Sequence, residues 1–348
     1  MAISISCNQG RKDAASTYET IELKNINGAS ARFCSNGARL MSLKVPDKTG
    51  HLIDVVVGFE KPEAYDKATE PYFGATVGRY GNRIAKGKFE LDGNLYQLSI
   101  NNNGVNTLHG GKTGFQYQNW SLNKVNDSTL VCKLNSKDGD NGFPGELCSK
   151  VTYTLTNSNA LIMEYEAITN RPTIVNLTNH AFFNLNGSGS ILDHTLMINA
   201  NQYTPVDRTL IPTGELAPVK GTPFDFRISE RIGNRINSGN DQLRYGKGYD
   251  HNYVLNQSKI MPAAIVYGDK SGIMLSIYTT EPGLQFYSGN FMQGKNRLRN
   301  GPDNFRTAFC LETQHFPDSP NHPNFPSTVL RPGEIYTSKS VYAFSVDK

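Results

Sequence analysis

The 348-residue chain predicts an all-β protein, a large antiparallel sandwich of packed, twisted sheets with few short helices. Three observations predict it. Apolar and polar residues alternate with a period of two along most of the chain, and sustained 3.6-residue periodicity is nearly absent. Thirty-two Gly and 17 Pro punctuate the alternating runs throughout. No self-similarity recurs at roughly 20–50 residues, which sets aside a solenoid or a propeller.

Taken in order, residues 1–18 are polar and aperiodic and are expected to form a mobile tail. Residues 19–348 read as a single domain, because no run of Pro, Ser or like charge marks a linker. EKPEAYDKA (60–68) and SERIGNRIN (229–237) carry helical spacing over about two turns each. KFELDGNLYQLSI (88–100) is a hairpin around Asp92-Gly93, a dipeptide that accepts the positive φ of a type I′ turn. SKVTYTLTNSNALIMEYEAIT (149–169) is a second hairpin around Asn157-Ser158-Asn159. AAIVYGDKSGIMLSIYTT (263–280) is a third, turning through Asp269–Gly272, and EIYTSKSVYAFSVD (334–347) is one more strand.

Composition excludes several functions. The net charge is +4 with Lys and Arg scattered, so no basic stripe exists to neutralise a nucleic-acid backbone. No stretch approaches the ~20 apolar residues of a membrane helix, and the opening segment lacks the order of a secretory signal. A soluble, cytoplasmic monomer is expected. Five cysteines, an odd number without Cys-x-x-Cys spacing, argue against a disulfide framework and a zinc site and read as free thiols. Sequons at Asn119, Asn126, Asn176, Asn186 and Asn256 matter only in a secreted protein.

NTLHGGKTGF (106–115) ends like a phosphate-binding loop in Gly111-Lys112-Thr113. That motif needs a glycine at position 106, where Asn stands, and a following helix, for which no apolar spacing exists. The nucleotide reading fails, and His109 remains as a possible acid or base.

Polar groups recur inside otherwise apolar strand contexts in GRYGNRIAKG (78–87), NTLHGG (106–111), VNLTNHAFFNL (175–185), GYDHNYVL (248–255) and FCLETQHFPDSPNHPNFP (309–326). Each has an ordinary explanation taken alone. His180, amid Leu177, Phe182 and Phe183, has the surroundings of a satisfied core histidine; Glu312 could pair structurally with Arg83, and Arg79 and Arg83 could be solvated. His315 and His322 flank a Pro-rich loop and read as surface residues or as supports behind the site. No His-x-His or His-x-x-x-His spacing supports a metal site.

Together, in this order, GRYGNRI, NTLHGG, VNLTNH, GYDHN and LETQHFPD resemble the aldose 1-epimerases, the galactose mutarotases, from about Tyr18 to the last residue. The resemblance implies a β-supersandwich with a shallow sugar cleft, Glu312 as base and His180 as acid, with His109 beside the acid. It also implies that Asn82, Arg83, Asp250 and Gln285 (of PGLQFYSGN) hold or border the sugar hydroxyls. The expected partner is a free hexose, galactose or glucose, with no cofactor and no metal.

Interconverting hexose anomers means opening the hemiacetal, turning about C1–C2 and closing on the other carbonyl face. Opening takes a proton from the C1 hydroxyl while delivering one to the ring oxygen, so two groups act together, each transfer worth about 10²–10⁴ in rate. His180 is then expected to be cationic at rest and Glu312 ionised, with Arg83 steadying the carboxylate. A hexose-phosphate epimerase would need an added cationic cluster, which is absent. A non-catalytic sugar-binding module would not need the Glu312 and His180 pair. A glycosidase would need two carboxylates, for which Glu312 and Asp250 are the candidates.

Overall fold

The computed structural model describes residues 18–258 and 260–346. Residues 1–17, which carry most of the expected tail and Cys7, lie outside them.

The largest sheet has nine antiparallel strands, in the spatial order Ser121–Asn126, Thr129–Ser136, Leu147–Leu155, Ala160–Thr169, Tyr336–Val346, Ile273–Thr279, Ala264–Tyr267, Thr195–Ile198 and Glu230–Arg231. A five-stranded sheet follows the order Ala217–Pro218, Ala200–Tyr203, Asp250–Leu255, Gly283–Tyr287 and Cys310–Gln314. A four-stranded meander contains Thr20–Lys24, Ser30–Cys34, Arg39–Pro46 and Leu52–Asp54. The alternation that predicts strands is physical: along Leu147–Leu155 every second side chain is buried.

All three hairpins form. Lys88–Leu91 pairs with Asn94–Gln97 around Asp92 (φ 51°) and Gly93 (φ 76°), Leu147–Leu155 pairs with Ala160–Thr169, and Ala264–Tyr267 pairs with Ile273–Thr279. The helical expectations need correction. Pro62–Lys67 is a 3-10 turn, with Pro62 at its start. In 229–237, Glu230–Arg231 joins the large sheet as an edge strand and only Ile232–Arg235 is α-helical. A second short helix, Asp241–Gly246, begins where the Asn240 side chain accepts the Gln242 N–H.

One apolar cluster draws on all three sheets: Leu40 and Leu43 from the meander, Leu275, Tyr342 and Phe344 from the large sheet, and Leu284, Phe286 and Leu311 from the five-stranded one. Leu311 and Thr313 therefore face the large sheet, Thr313 touching Ser340 at 2.7 Å between hydroxyls. By strand alternation, Cys310, Glu312 and Gln314 project the other way. That outer face of the five-stranded sheet is the floor of the site.

Among the described cysteines, Cys34, Cys132 and Cys310 are buried thiols. Asn176, one of the five sequon residues, is fully buried and donates to the carbonyls of Gly81 and His315, so it offers no acceptor for a glycan. No helix among the described residues is long and apolar enough to cross a membrane.

Candidate active site

Strand register sets the floor. Asn252 lies opposite Gln285 and Gln285 opposite Glu312, while Asp250, Tyr287 and Cys310 form the next row on the same face. Polar side chains that the sequence scatters over sixty residues thereby line up across three strands.

The walls come from loops that follow short pairings. His180 follows strand Thr178–Asn179, which pairs with Thr76–Val77; its N–H donates to Ala75 O (2.8 Å) and its carbonyl accepts from Gly74 N–H (3.0 Å). His109 follows Thr107–Leu108, paired with Arg83–Ile84. The chain turns there through His109 (φ 48°) and Gly110 (φ 81°), and a Cβ on Gly110 would lie 1.8 Å from Gly78 O, so only glycine fits. Lys112 and Thr113 sit exposed on the loop beyond, far from a phosphate cradle.

Glu70, Tyr72, Asn82, Arg83, Leu108, His109, His180, Asp250, Tyr287, Phe291 and Glu312 line an open cleft. A larger depression on the large sheet, lined by Gln257, Tyr278, Lys339 and Val341 among others, has Lys339 as its charged side chain. That amine is already paired with Glu164 at 2.9 Å.

Within the cleft, His180 Nε2 and Glu312 Oε1 are 3.6 Å apart, and both residues are almost fully buried. Cys310 Sγ lies 3.5 Å from the other imidazole nitrogen, Nδ1, so one strand touches both nitrogens of the ring. Tyr72 and Phe182 stack on the His180 ring at 5.5 and 5.0 Å between centroids. His109 stands edge-on to His180 at 5.0 Å. The Asn82 N–H donates to His109 Nδ1 at 3.0 Å, which leaves the proton of the neutral ring on Nε2.

Arg83 does not pair with Glu312. Its guanidinium meets Asp250 at 3.4 Å, and Asp250 also accepts from Gln285 Nε2 at 2.7 Å. The Asn82 side chain accepts the Arg83 N–H at 2.9 Å and orients that segment. Arg79 is absent from the cleft: it is buried, donating to Ser136 Oγ and to the carbonyls of Ser136, Lys137, Pro144 and Gly145. Neither arginine is solvated. His315 pairs with Glu281 at 2.6 Å and His322 with Asp318 at 3.4 Å, both outside the cleft lining.

Burial acts on both members of the pair. It pushes His180 down to about 3, and it pushes Glu312 well above the usual carboxylate range, with Asp250 adding to the rise and Arg83 opposing it. The His109 imidazolium is likewise disfavoured, first by burial and then by His180 and Arg83. Burial thus works against the expected cationic His180 and ionised Glu312, disfavouring the charged form of each.

His109, His180 and Glu312 each offer a ligand atom, all within 4.8 Å of one another, a set that could accept a divalent cation. Sequence spacing could not reveal it, because each ligand comes from a different segment. Glu70, Tyr72, Tyr287 and Phe291 are cleft residues that the sequence reading missed. The available signal was position: Glu70 and Tyr72 lie within eight residues before GRYGNRI, and Tyr287 and Phe291 follow Gln285 within six.

The aldose 1-epimerase family model matches residues 19–343. The chain belongs to the aldose 1-epimerase family. Galactose mutarotase of Sus scrofa is 44% identical over 338 residues, covering 95% of each chain. Aldose 1-epimerase of Escherichia coli (strain K12) is 40% identical over 335 residues, 94% of this chain and 95% of that one. Among solved structures, an aldose epimerase homologue from C. elegans superposes with a TM-score of 0.88 at 31% identity, covering 95% of this chain and all of that one. The β-supersandwich of the aldose 1-epimerases is therefore the fold of this chain.

Proposed function

We propose that the chain is an aldose 1-epimerase that interconverts the α and β anomers of free aldohexoses such as galactose and glucose, with Glu312 as base and His180 as acid. The observation that carries this reading is the buried 3.6 Å pair of imidazole and carboxyl at the wall of an open, polar cleft. Relatives named galactose mutarotase, similar along 95% of the chain, support it independently.

In this reading the sugar completes the charge distribution that burial opposes. The anomeric O1–H donates to Glu312 and favours the carboxylate, while the ring oxygen accepts from His180 Nε2 and favours the imidazolium. Glu312 takes the O1 proton as His180 protonates O5, the C1–O5 bond breaks, and the open-chain aldehyde turns about C1–C2. Closure on the other face returns both protons. Arg83, Asp250, Gln285, Asn82 and His109 grip the remaining hydroxyls, so C1 alone is free to turn. One transferable proton on the pair is the active form, so the rate falls when both groups are protonated and when both are bare.

Asp250 is held by Arg83 and Gln285, which disfavours it as the second carboxylate of a glycosidase. Polarimetry on fresh α-D-galactose tests the proposal. Glu312→Gln and His180→Asn are each expected to lower turnover by about 10²–10⁴, whereas Arg83→Lys and Asp250→Asn chiefly raise KM. Exhaustive chelation is expected to leave the wild-type rate unchanged. A Glu312→Gln variant turning over at the wild-type rate would remove Glu312 from the base role.

A further inference from the structure

We propose that Glu70 is a substrate-binding residue whose carboxylate, carried on the Thr69–Tyr72 strap, accepts hydrogen bonds from hydroxyl groups of the bound aldose. This rests on the reading of the cleft as an aldose site.

The strap is fastened at both ends. Thr69 N–H donates to Asn296 Oδ1 at 3.0 Å, and Asn296 Nδ2 donates back to Thr69 Oγ1 at 2.8 Å. Asn296 is itself fixed by Asp303 through two bonds of 2.7 Å. At the other end Ala75 N–H donates to Tyr72 O at 2.9 Å, and Gly74 turns at φ 68°. Pro71 stiffens the span between. Tyr72, one end of the strap, packs on His109 at 4.5 Å and on His180, so Glu70 is held beside the reacting pair rather than free to swing away.

Within this arrangement Glu70 is short of partners. Among the described residues, the hydrogen bond its side chain accepts comes from Tyr72 N–H at 3.3 Å, and no Lys, Arg or His pairs with it. The other two cleft carboxyls are engaged, Asp250 with Arg83 and Gln285, Glu312 with His180. Burial holds the Glu70 carboxyl at about 7, with Asp303 and Asp250 adding to the rise while the Tyr72 N–H and Arg39 oppose it. A half-buried carboxylate on the wall of a cleft, with most of its acceptor capacity left for a ligand, is matched to one rich in O–H donors. A pyranose presents adjacent hydroxyls that one carboxylate can accept together.

Calorimetric titration of D-galactose into wild type and variants at pH 8 tests this, since binding is read without turnover. Glu70→Ala is expected to weaken binding about tenfold or more, the ratio set by loss of one charge-assisted hydrogen bond. Glu70→Gln loses less, and the gap between wild type and Glu70→Gln narrows at pH 5.5, where the wild-type carboxyl is protonated. Titrating singly deoxygenated galactoses then locates the contact, because the Glu70→Ala penalty disappears for the sugar lacking the contacted hydroxyl. Both variants binding within twofold of wild type, or an equal penalty for every deoxy sugar, overturns the proposal. Wild type that binds galactose but shows no mutarotation removes the catalytic reading while the Glu70 contact is still decided by the same titrations.

Discussion

Arg79 and Arg83 stand four residues apart in one motif, GRYGNRI, and do different work. Arg83 reaches into the cleft to Asp250, while Arg79 turns away and satisfies four carbonyls and a hydroxyl of the Ser136–Gly145 segment. Burial lowers Arg79 to about 10, yet its five donors keep the charged form in place. Arg79→Lys, with three donors on a point charge, leaves several buried carbonyls unpaired and is expected to cost about 3 kcal/mol of stability. Chemical denaturation should show that loss while KM for galactose stays within twofold; an unchanged midpoint would contradict the structural role. At this scale the sequence was legible where motifs carried it: Glu312, His180, His109, Asn82, Arg83, Asp250 and Gln285 do converge, and six of them line the cleft directly. Direction of projection was not legible, because Arg79 and Arg83 have the same chemistry and only the folded chain separates them. Nor was the lowered basicity of His180, whose burial comes in part from Tyr72 and Phe182 covering the ring. Glu70 escaped notice because a lone carboxylate in a loop carries no periodic signal.

Strands and turns were the most readable level. The hairpins at 88–100, 149–169 and 263–280 announce themselves through alternation ending in residues that tolerate positive φ, such as Asp92, Gly93 and Asn159. Helix existence was readable but type and extent were not: the first expected segment holds a six-residue 3-10 helix, Pro62–Lys67, and edge pairing of Glu230–Arg231 leaves only Ile232–Arg235 α-helical in the second. The register of Asn252, Gln285 and Glu312 was also hidden, since pairing partners are far apart in sequence. One turn fixes the site at this scale: Gly110 lets the chain reverse directly after His109 and against Gly78. Gly110→Ala adds a methyl where backbone already sits, at a φ of 81°. It is expected to cost at least about 2 kcal/mol and to lower kcat/KM more than tenfold by displacing His109. Thermal unfolding and polarimetry read the two effects, and a variant normal in both would show that the loop can give.

For the molecule as a whole, buried ionisable groups pull stability in opposite directions with pH. Burial pushes His251 down to about 3 and His194 down to about 4, below the ~6.5 of an unfolded histidine. Their neutral forms are the folded ones, so acidification from pH 7 to 5 protonates the unfolded chain first and each histidine withdraws about 1–2 kcal/mol. Glu70 and Glu312, with folded values raised above the unfolded ~4.5, act the other way and return stability as pH falls. A single substitution isolates one contribution. His251→Gln is expected to lose about 1–2 kcal/mol less than wild type between pH 7 and 5 in urea titrations, and equal losses would mean that His251 titrates normally when folded. The architecture itself was legible from alternation and turn spacing, whereas the spatial order of the nine strands was not, because it depends on where late segments insert.

That insertion has a temporal consequence. Tyr336–Val346 lies between Ala160–Thr169 and Ile273–Thr279, at the middle of the widest sheet. Until those eleven residues have been synthesised, two long strands wait with open edges that could recruit a neighbouring chain instead. The widest sheet can therefore close only once its middle strand has left the ribosome.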